Sequence, residues 1–463
     1  MKLLPEGLIM RIHIVGICGT FMGGVALIAR ELGHIVSGSD LNIYPPMSDA
    51  LKNAGIDLRL GYDPSTIDKD VDLVIVGNAI GRANPSVDYV LTHKIPYTSG
   101  SQWMHDYVLR HQHVLAVSGT HGKTTTTALL TWILETAGLN PGFLIGGVPK
   151  NFEGTSRLGA KKYFVIEADE YDTAFFDKRS KFLHYCPTTL IMNNIEFDHA
   201  DIFADLEAIK KQFQYLLRVV PSNGSVIYPK SDINIPDVIS RGCWGNKIVT
   251  GDENGWHAKL IKQDGSEFEC YFGAEKRAMI KWSLVGNHNI QNALTAIAAA
   301  NAINISMKDI EKAFATFENV KRRLEIRGCV NDITVYDDFA HHPTAIATTI
   351  DGLRKRVGNE RIIAVAQLGS NSMKMGAHGD ALGFSFTAAD EIHILRPEDK
   401  SWDVEAVLKP VNNKAFLHNS VSDIVESVSK RTHKNDHVLV MSNKGFDGIH
   451  EKLLKGLAYT HHD

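Results

Sequence analysis

Residues 113–138, HVLAVSGTHGKTTTTALLTWILETAG, decide the fold of this chain. The stretch HVLAVSG is rich in the apolar, β-branched residues of a buried strand. The stretch after Lys123 is typical of a helix that stops at Gly138 and Pro141. A glycine loop, SGTHGKTT (118–125), joins the two. A strand that runs through such a loop into a helix indicates an α/β domain with a mostly parallel sheet.

The glycine loop also predicts binding of nucleotide phosphates. Its backbone N–H groups and the positive end of the following helix dipole would cradle the phosphates. Lys123 would reach the β- and γ-phosphates, and the hydroxyl of Thr124 or Thr125 would meet a magnesium ion. The usual phosphate loop has an earlier glycine where this chain has Val117, so the pattern is incomplete. The predicted nucleotide-binding residues here are Gly119, Thr120, His121, Gly122, Lys123, Thr124 and Thr125.

Polar side chains follow the next two predicted strands. Glu167 ends the strand in YFVIEADEYD, where a carboxylate can serve a metal bound to a triphosphate, because hard oxygen ligands suit Mg²⁺. We expect its neighbours Glu170 and Asp172 to be solvated instead. The segment NNIEFDH ends in His199, which shares the same predicted sheet edge and is a candidate ligand or positioning residue.

A second glycine turn, GICGTFMGG (16–24), follows the first strand of the chain and precedes Asp40 by about the spacing of a nucleotide-binding crossover. Its spacing departs from GxGxxG. Two interpretations stay open: a nicotinamide dinucleotide, or the diphosphate of a nucleotide sugar.

The 463 residues exceed what one core supports, so two or three domains are expected. Strand and helix alternate from RIHIVGI to DLVIVGNAI, again from HVLAVSG to TTLIMNN, and a third time from ITVYDDFAHH onward. Residues 222–283 lose helical character and form short strands. We predict a Rossmann-like N-terminal domain (1–110), a central phosphate-loop domain (111–318) and a C-terminal Rossmann-like α/β domain (319–463).

Composition narrows the functional class. A net charge of -4 gives no bulk reason to bind nucleic acid or membrane, and no protein partner is evident. The five cysteines are scattered, with no zinc or disulfide spacing. The N-terminal apolar stretch is too short for a signal peptide, and no run is long enough to span a bilayer. We therefore expect a cytoplasmic location.

Six motifs, in this order, resemble those of the Mur ligases: GTHGKTTT, EADE, NNIEFDH, GNHNIQNALTA, KRR and DDFAHHP. The resemblance covers nearly the whole chain. It implies an ATP-dependent ligase that activates a carboxylate as an acyl phosphate before an amine attacks it. In that family the first domain holds a UDP-sugar, the second holds ATP and Mg²⁺, and the third holds the incoming amino acid or peptide.

The resemblance also implies roles for individual residues. Lys123 corresponds to the phosphate lysine, and Thr124, Thr125, Glu167 and His199 to the magnesium site. The ATP site would further include Asn289, Asn292, Arg323 with Arg322 as its alternative, and Asp338. Lys123, Glu167, His199 and Arg323 would serve catalysis. The UDP-sugar site would include Gly16, Cys18, Gly19, Thr20, Phe21, Met22, Gly23, Ser39 and Asp40.

Within the family, SGSDLNIYPPMS, TAFFDKRSKF and SNSMKMG resemble members that join UDP-N-acetylmuramate to the tripeptide L-alanyl-γ-D-glutamyl-meso-diaminopimelate in cell-wall recycling. Gly369 stands where an arginine is expected before SNSMK, which bears on how the peptide carboxylates are held. We predict that the peptide is bound by Ser370, Asn371, Ser372 and Lys374. Three alternatives remain: a ligase that adds free L-alanine, an NAD-dependent oxidoreductase, and a non-catalytic UDP-sugar sensor.

Overall fold

The computed structural model describes residues 8–200, 202–368, 379, 381–397 and 403–460, and these form three α/β units. Each unit is built on its own sheet. The three sheets have five, ten and six strands, and a two-stranded hairpin stands apart from them. The predicted α/β fold of three domains is confirmed, since each region of alternating strand and helix folds as expected.

The first sheet is parallel throughout and has the order β3-β2-β1-β4-β5. Four of the five residues of β1 are buried, as expected for a strand covered by helices on both faces. The order reverses between β1 and β4, which opens a crevice at the carboxyl ends of these strands. The strands are β1 (Arg11–Val15), β2 (Ile35–Asp40), β3 (Asp57–Leu60), β4 (Leu73–Val76) and β5 (Tyr97–Ser99), and the helices α1 (Thr20–Glu31), α2 (Met47–Asn53), α3 (Pro85–Thr92) and α4 (Gly100–Tyr107).

The second sheet has the order β17-β16-β15-β14-β13-β12-β6-β9-β7-β8. Its pairs are parallel from β7 to β15 and antiparallel at both edges, which confirms a mostly parallel sheet. The strands are β6 (His113–Ser118), β7 (Gly142–Leu144), β8 (Ser156–Arg157), β9 (Tyr163–Glu167), β12 (Thr189–Met192), β13 (Ser225–Pro229), β14 (Asn246–Thr250), β15 (Trp256–Leu260), β16 (Glu267–Phe272) and β17 (Glu275–Lys281). The separate hairpin pairs β10 (Asp172–Ala174) with β11 (Asp177–Ser180).

Helix α5 shows why this unit folds as the sequence predicts. It begins at Lys123, directly after Gly122 in the left-handed conformation, and it ends at Thr136, just before Gly138 at φ +75°. It packs against the alanine-rich α8, whose small side chains allow close approach. A six-residue helix, α7, interrupts the region predicted to be strands alone. The helices are α5 (Lys123–Thr136), α6 (Leu206–Arg218), α7 (Ile235–Ser240), α8 (Asn287–Ala302) and α9 (Met307–Thr316).

The third sheet has the order β18-β19-β23-β20-β21-β22, parallel except for the edge pair β18-β19. Helix α13 begins with a capping box between Ser420 and Asp423. The strands are β18 (Glu325–Val330), β19 (Ile333–Asp338), β20 (Ile362–Gln367), β21 (Glu391–Leu395), β22 (Ala415–His418) and β23 (His437–Met441). The helices are α10 (Pro343–Val357), α11 (Ala381–Phe384), α12 (Val404–Leu408), α13 (Val421–Arg431) and α14 (Ile449–Thr460). Across the described parts of all three units, no helix is long and apolar enough to cross a bilayer.

Candidate active site

A cleft of about 1750 Å³ is lined by all three units. The loops after β1, β2 and β4 reach it from the first sheet, and those after β6, β9 and β12 reach it from the second. The start of the third unit, around residues 318–327, and the loop after β19 complete the wall. Ligand sites of open α/β sheets lie at such carboxyl-terminal strand ends.

The phosphate loop is fixed by two glycines that no other residue could replace without displacing its neighbours. Gly119 has φ +128°, and a Cβ there would lie 3.0 Å from the backbone N and O of Asn194. Gly122 has φ +79°, and a Cβ there would lie 2.5 Å from Oδ1 of Asn292. The Asn194 side chain holds the loop further, since its Oδ1 accepts from the backbone N–H of His121 at 2.7 Å. Asn194, which follows β12, therefore supports the phosphate loop through its backbone and its side chain.

Asn289 and Asn292 lie one turn apart on α8, as predicted. Nδ2 of Asn292 donates to Oδ1 of Asn289 at 3.2 Å, and Nδ2 of Asn289 donates to the carbonyl of Val285 at 2.7 Å. Both residues line the cleft. The helix face thus places Asn292 beside Gly122, within the predicted nucleotide site.

Lys123 is buried at the start of α5. Its Nζ donates to the carbonyl of Gly119 at 2.6 Å and to Oε2 of Glu170 at 3.2 Å. Burial lowers the pKa of Lys123, but the carboxylates of Glu170, Asp169 and Glu167 outweigh it, so the pKa is raised overall. The ammonium group is therefore fully charged, and it lies where it can meet phosphate oxygens.

Glu170 is 2% exposed, so the prediction that it is solvated is wrong. Its carboxylate pairs with Nζ of Lys123 at 3.2 Å and with Nε2 of His199 at 3.2 Å. Burial raises the pKa of Glu170, but the positive charges of Lys123 and His199 lower it by more, so the pKa falls to about 2. One feature of the sequence points to this burial. A lysine and a histidine predicted at the same sheet edge need an anion between them if both are buried. Asp172 is only partly buried and pairs with Lys178.

Glu167 lies at the end of β9 and has its carboxylate held on both sides. Oε1 accepts from the Thr124 hydroxyl at 2.9 Å, and Oε2 accepts from the N–H of Gly146 at 2.8 Å. Burial and the neighbouring Asp169 carboxylate raise the pKa of Glu167. The oxygen atoms of the Thr124 hydroxyl and the Glu167 carboxylate, with the Asp169 carboxylate nearby, are the kind of ligands that Mg²⁺ prefers. Thr125 is buried in the next position and also lines the cleft.

His199 follows β12 with a positive φ of 56° and lies close to this group. Its Nε2 faces Glu170 rather than Glu167. Burial lowers the pKa of His199, but the contact with Glu170 raises it above its ordinary value overall. Because a metal binds the neutral imidazole, the raised pKa of His199 opposes a direct ligand role for this residue.

Arg323 brings the third unit to the phosphate loop. Its Nη2 donates to the hydroxyl of Thr124 at 3.4 Å, and its guanidinium lies over the ring of Phe339. Arg322 points the other way, and its Nη2 donates to the carbonyls of Ser442 at 2.5 Å and Lys444 at 2.9 Å. The geometry therefore places the guanidinium of Arg323, and not that of Arg322, beside the phosphate loop.

Asp338 lines the cleft, but its carboxylate is occupied within the third unit. It accepts from the N–H of Leu324 at 2.7 Å and from the N–H of Ala340 at 2.8 Å. Burial raises its pKa, while the charge of Arg323 opposes that shift. In this arrangement Asp338 fixes the turn that carries Arg323.

A contact between the second and third units was not foreseen. Glu196 pairs with His121 of the phosphate loop at 3.4 Å and accepts from the hydroxyl of Thr344 at 2.6 Å. One ligand atom from each of His121, Glu196 and His342 lies within 4.8 Å of the others. Because His121 and Glu196 belong to the second unit and His342 and Thr344 to the third, this group connects the two units beside the phosphate loop.

The first glycine turn forms the opposite end of the cleft. Gly16 has φ +82° and donates its N–H to the carbonyl of Ser39 at 2.8 Å. Asp40 accepts from the N–H of Cys18 at 2.9 Å, so it braces the turn. Burial and, to a smaller extent, the negative charge of Asp40 raise the pKa of the Cys18 thiol to about 11. The predicted residues that line the cleft here are Gly16, Cys18, Gly19, Thr20, Phe21, Met22 and Asp40.

Two residues predicted for the UDP-sugar site, Gly23 of this turn and Ser39 of β2, are packed away from the cleft. A Cβ on Gly23 would lie 2.3 Å from the sulfur of Met47, so this glycine permits helix packing. Ser39 is fully buried, and its hydroxyl contacts Nε2 of His13 at 3.1 Å. The predicted peptide-binding residues Ser370, Asn371, Ser372 and Lys374 lie outside the described residues.

Comparison with known proteins matches all three units. Residues 11–112 match the Mur ligase family catalytic domain, residues 117–300 the Mur ligase middle domain, and residues 322–444 the Mur ligase glutamate ligase domain. The chain is 55% identical to the UDP-N-acetylmuramate–L-alanyl-gamma-D-glutamyl-meso-2,6-diaminoheptandioate ligase of Escherichia coli strain K12, across 97% of this chain and 98% of that protein.

A solved structure and a more distant relative are also similar to this chain over nearly its full length. The crystal structure of a murein peptide ligase from Psychrobacter arcticus 273-4 superposes with a TM-score of 0.75 at 45% identity, covering 97% of this chain and 99% of that one. The UDP-N-acetylmuramate–L-alanine ligase of Clostridium acetobutylicum is 34% identical across 93% of this chain and 94% of that protein.

These likenesses and the three-domain cleft define the class as an ATP-dependent ligase that forms amide bonds. The alternatives of an oxidoreductase and of a non-catalytic sensor are therefore wrong. The chain belongs to the Mur ligase family.

Proposed function

We propose that this ligase joins the lactyl carboxylate of UDP-N-acetylmuramate to the amine of L-alanyl-γ-D-glutamyl-meso-diaminopimelate, with cleavage of ATP to ADP and phosphate. The proposal rests chiefly on the cleft, which runs from the glycine turn of the first unit past the phosphate loop to the third unit. That order allows a UDP-sugar, a triphosphate and an amine to meet in one place. Two relatives whose names carry this substrate, at 55% and 51% identity, support the choice of amine.

The first step brings two anions together. A carboxylate oxygen of the sugar attacks the γ-phosphorus of ATP, the bond from that phosphorus to the bridging oxygen breaks, and ADP leaves. The protein can assist by position and charge: Lys123 and Arg323 both face the phosphate loop, so both can stabilise charge on the transferring group. No covalent nucleophile of the enzyme is required.

In the second step the peptide nitrogen attacks the carbonyl carbon of the acyl phosphate. The amine loses a proton, the carbon–oxygen bond to phosphate breaks, and inorganic phosphate leaves. The third unit carries Arg323, which already contacts Thr124 here, so movement of this unit about the segment near residue 319 would carry the arginine and the bound amine away from the site and back to it together.

Thr124, Thr125 and Glu167 would hold Mg²⁺ here, with His199 next to them. When bound, the ion would neutralise phosphate charge as the γ-phosphoryl group is transferred. Thr124 and Gly146 already hold the two carboxylate oxygens of Glu167, so the carboxylate is fixed next to the first turn of α5.

The choice of a tripeptide over free alanine rests on sequence features at two places. The segment TAFFDKRSKF forms the hairpin β10-β11, and SNSMKMG contains the predicted peptide-binding residues Ser370, Asn371, Ser372 and Lys374. A peptide ending in diaminopimelate has carboxylates far from its reacting amine, and Lys374 is the cation we assign to them. We retain the domain limits 1–110, 111–318 and 319–463 and a cytoplasmic location as parts of this proposal.

Release of phosphate from ATP tests the proposal directly. Purified protein with UDP-N-acetylmuramate and Mg²⁺ is given the tripeptide or free L-alanine, and the UDP-linked product is weighed by mass spectrometry. We expect phosphate release and a tripeptide adduct. More efficient coupling of free L-alanine would reassign the chain to the alanine-adding branch, and no turnover with either amine would contradict both assignments.

A further inference from the structure

Lys181 is a buried cation in the cleft that neither the phosphate site nor the metal site uses. It begins a short 3₁₀ helix (Lys181–His184) directly after hairpin β10-β11. Its backbone N–H donates to the carbonyl of Tyr171 at 2.9 Å, and the Ser180 hydroxyl donates to the carbonyl of Glu170 at 2.7 Å. These two bonds hold the end of the hairpin against the loop after β9, so the lysine is directed into the cleft.

The ammonium group of Lys181 is incompletely paired among the described residues. The side chain is 5% exposed, and its ion pair is with Oδ2 of Asp169 at 3.7 Å, beyond hydrogen-bond distance. The remaining contacts are aromatic: Nζ lies 4.9 Å from the ring centroid of Phe21 and 5.4 Å from that of Tyr171. An ammonium has three donors, and rings and one distant carboxylate do not replace the hydrogen bonds lost to water.

The position of Lys181 indicates what it would bind. Phe21 belongs to the first turn of α1, at the glycine turn proposed for the UDP diphosphate. Asp169 also lies 3.9 Å from Nζ of Lys123, at the phosphate loop. Lys181 therefore stands between the anchor of the sugar nucleotide and the phosphoryl group to be transferred. The reacting carboxylate must occupy that same interval.

We infer that Lys181 binds and positions the lactyl carboxylate of the sugar substrate. This inference rests on the proposed function. An ammonium at this point offsets the repulsion between a carboxylate and the triphosphate, and it leaves Lys123 free for the phosphates. The segment that follows hairpin β10-β11 would thus supply a carboxylate-binding cation to the UDP-sugar end of the cleft.

The test compares two ligands that differ at the proposed contact. UDP-N-acetylmuramate carries the lactyl carboxylate, whereas UDP-N-acetylglucosamine has the same diphosphate and lacks that group. Dissociation constants for both are measured by calorimetry on the intact wild-type protein and on Lys181→Met, Lys181→Arg and Lys178→Met. Lys178 is a matched control, since it lies on the hairpin that directly precedes Lys181, is 70% exposed and pairs with Asp172.

We expect Lys181→Met to weaken UDP-N-acetylmuramate binding by about 10- to 100-fold, the range for a lost hydrogen bond to a charged group, and to change UDP-N-acetylglucosamine binding less than about twofold. Lys181→Arg should recover part of the loss, and Lys178→Met should match the wild type. If Lys181→Met does not fold, Lys181→Gln, which keeps most of the volume, serves in the same comparison.

Equal weakening for both ligands would overturn the inference in favour of a diphosphate or purely structural role, and unchanged UDP-N-acetylmuramate binding would overturn it outright. Either result leaves the proposed function intact provided that the wild type couples the tripeptide. A wild type that does not distinguish the two UDP-sugars and releases no phosphate would contradict the proposed function itself.

Discussion

Gly122 and Gly138 lie at the two ends of helix α5. Replacing each with alanine distinguishes the effect of backbone strain from the effect of a displaced phosphate loop. Both are left-handed, with φ of +79° and +75°. An alanine in that conformation costs about 1–2 kcal/mol, so both variants should lose about that much unfolding free energy. Their surroundings differ: a Cβ on Gly138 meets nothing within 4 Å, whereas one on Gly122 lies 2.5 Å from Oδ1 of Asn292 and 3.0 Å from Nδ2 of Asn193.

Gly122→Ala must therefore displace either the phosphate loop or the two asparagines. We expect roughly 1–3 kcal/mol of additional destabilisation from overpacking. A shift of the loop by about 1 Å misdirects the N–H groups that face the phosphates, so kcat/KM for ATP should fall about 100-fold. Gly138→Ala should stay within about twofold of the wild type.

Chemical denaturation and steady-state phosphate release check these values on the same samples. A double-mutant cycle with Asn292→Ala isolates the steric term, because removal of Oδ1 should make Gly122→Ala less damaging than it is alone. The reasoning is refuted if Gly122→Ala folds and keeps kcat/KM within threefold of the wild type, or if both glycine variants lose activity equally.

Four further variants test the site. Lys123→Ala should reduce phosphate release at least about 1000-fold, since a cation facing the transferred phosphoryl group contributes several kcal/mol in the transition state; appreciable turnover would remove the phosphate-loop assignment. Glu167→Ala and His199→Ala should each cause a large loss that a magnesium titration partly recovers, because loss of a ligand, or of a residue that supports the site through Glu170, weakens metal occupancy first. Unchanged activity at limiting magnesium would count against both. Lys374→Ala should raise KM for the tripeptide alone, and equal rises in KM for ATP and the UDP-sugar would exclude a peptide contact.

Much of the fold could be predicted because the signals are local. The stop of α5 at Gly138 and the start of α8 at Asn287 follow from a glycine and from a run of helix-forming residues. Glu167 falls at the end of a buried strand because β-branched residues precede it. Each of these features depends on a few neighbouring residues, which a single sequence contains.

The pairing of charged groups could not be predicted in the same way. Glu170 is separated by 47 positions from Lys123 and by 29 from His199, and only the packing of β6 between β12 and β9 brings the segments that carry the three residues together. Arg322 and Arg323 are adjacent in sequence, yet a positive φ of 61° at Arg322 turns one guanidinium towards the third unit and the other towards Thr124. Such choices depend on tertiary contacts and not on residue type.

Transfer of oxygen during turnover tests the central claim, which is activation of the carboxylate as an acyl phosphate. UDP-N-acetylmuramate labelled with ¹⁸O in the lactyl carboxylate is incubated with ATP, Mg²⁺, the tripeptide and the intact protein, and the released phosphate is examined by mass spectrometry. Attack of the carboxylate on the γ-phosphorus leaves one of its oxygens on that phosphorus. The account therefore predicts one ¹⁸O in each phosphate released from doubly labelled carboxylate. Phosphate without the label, released together with the amide product, would contradict it.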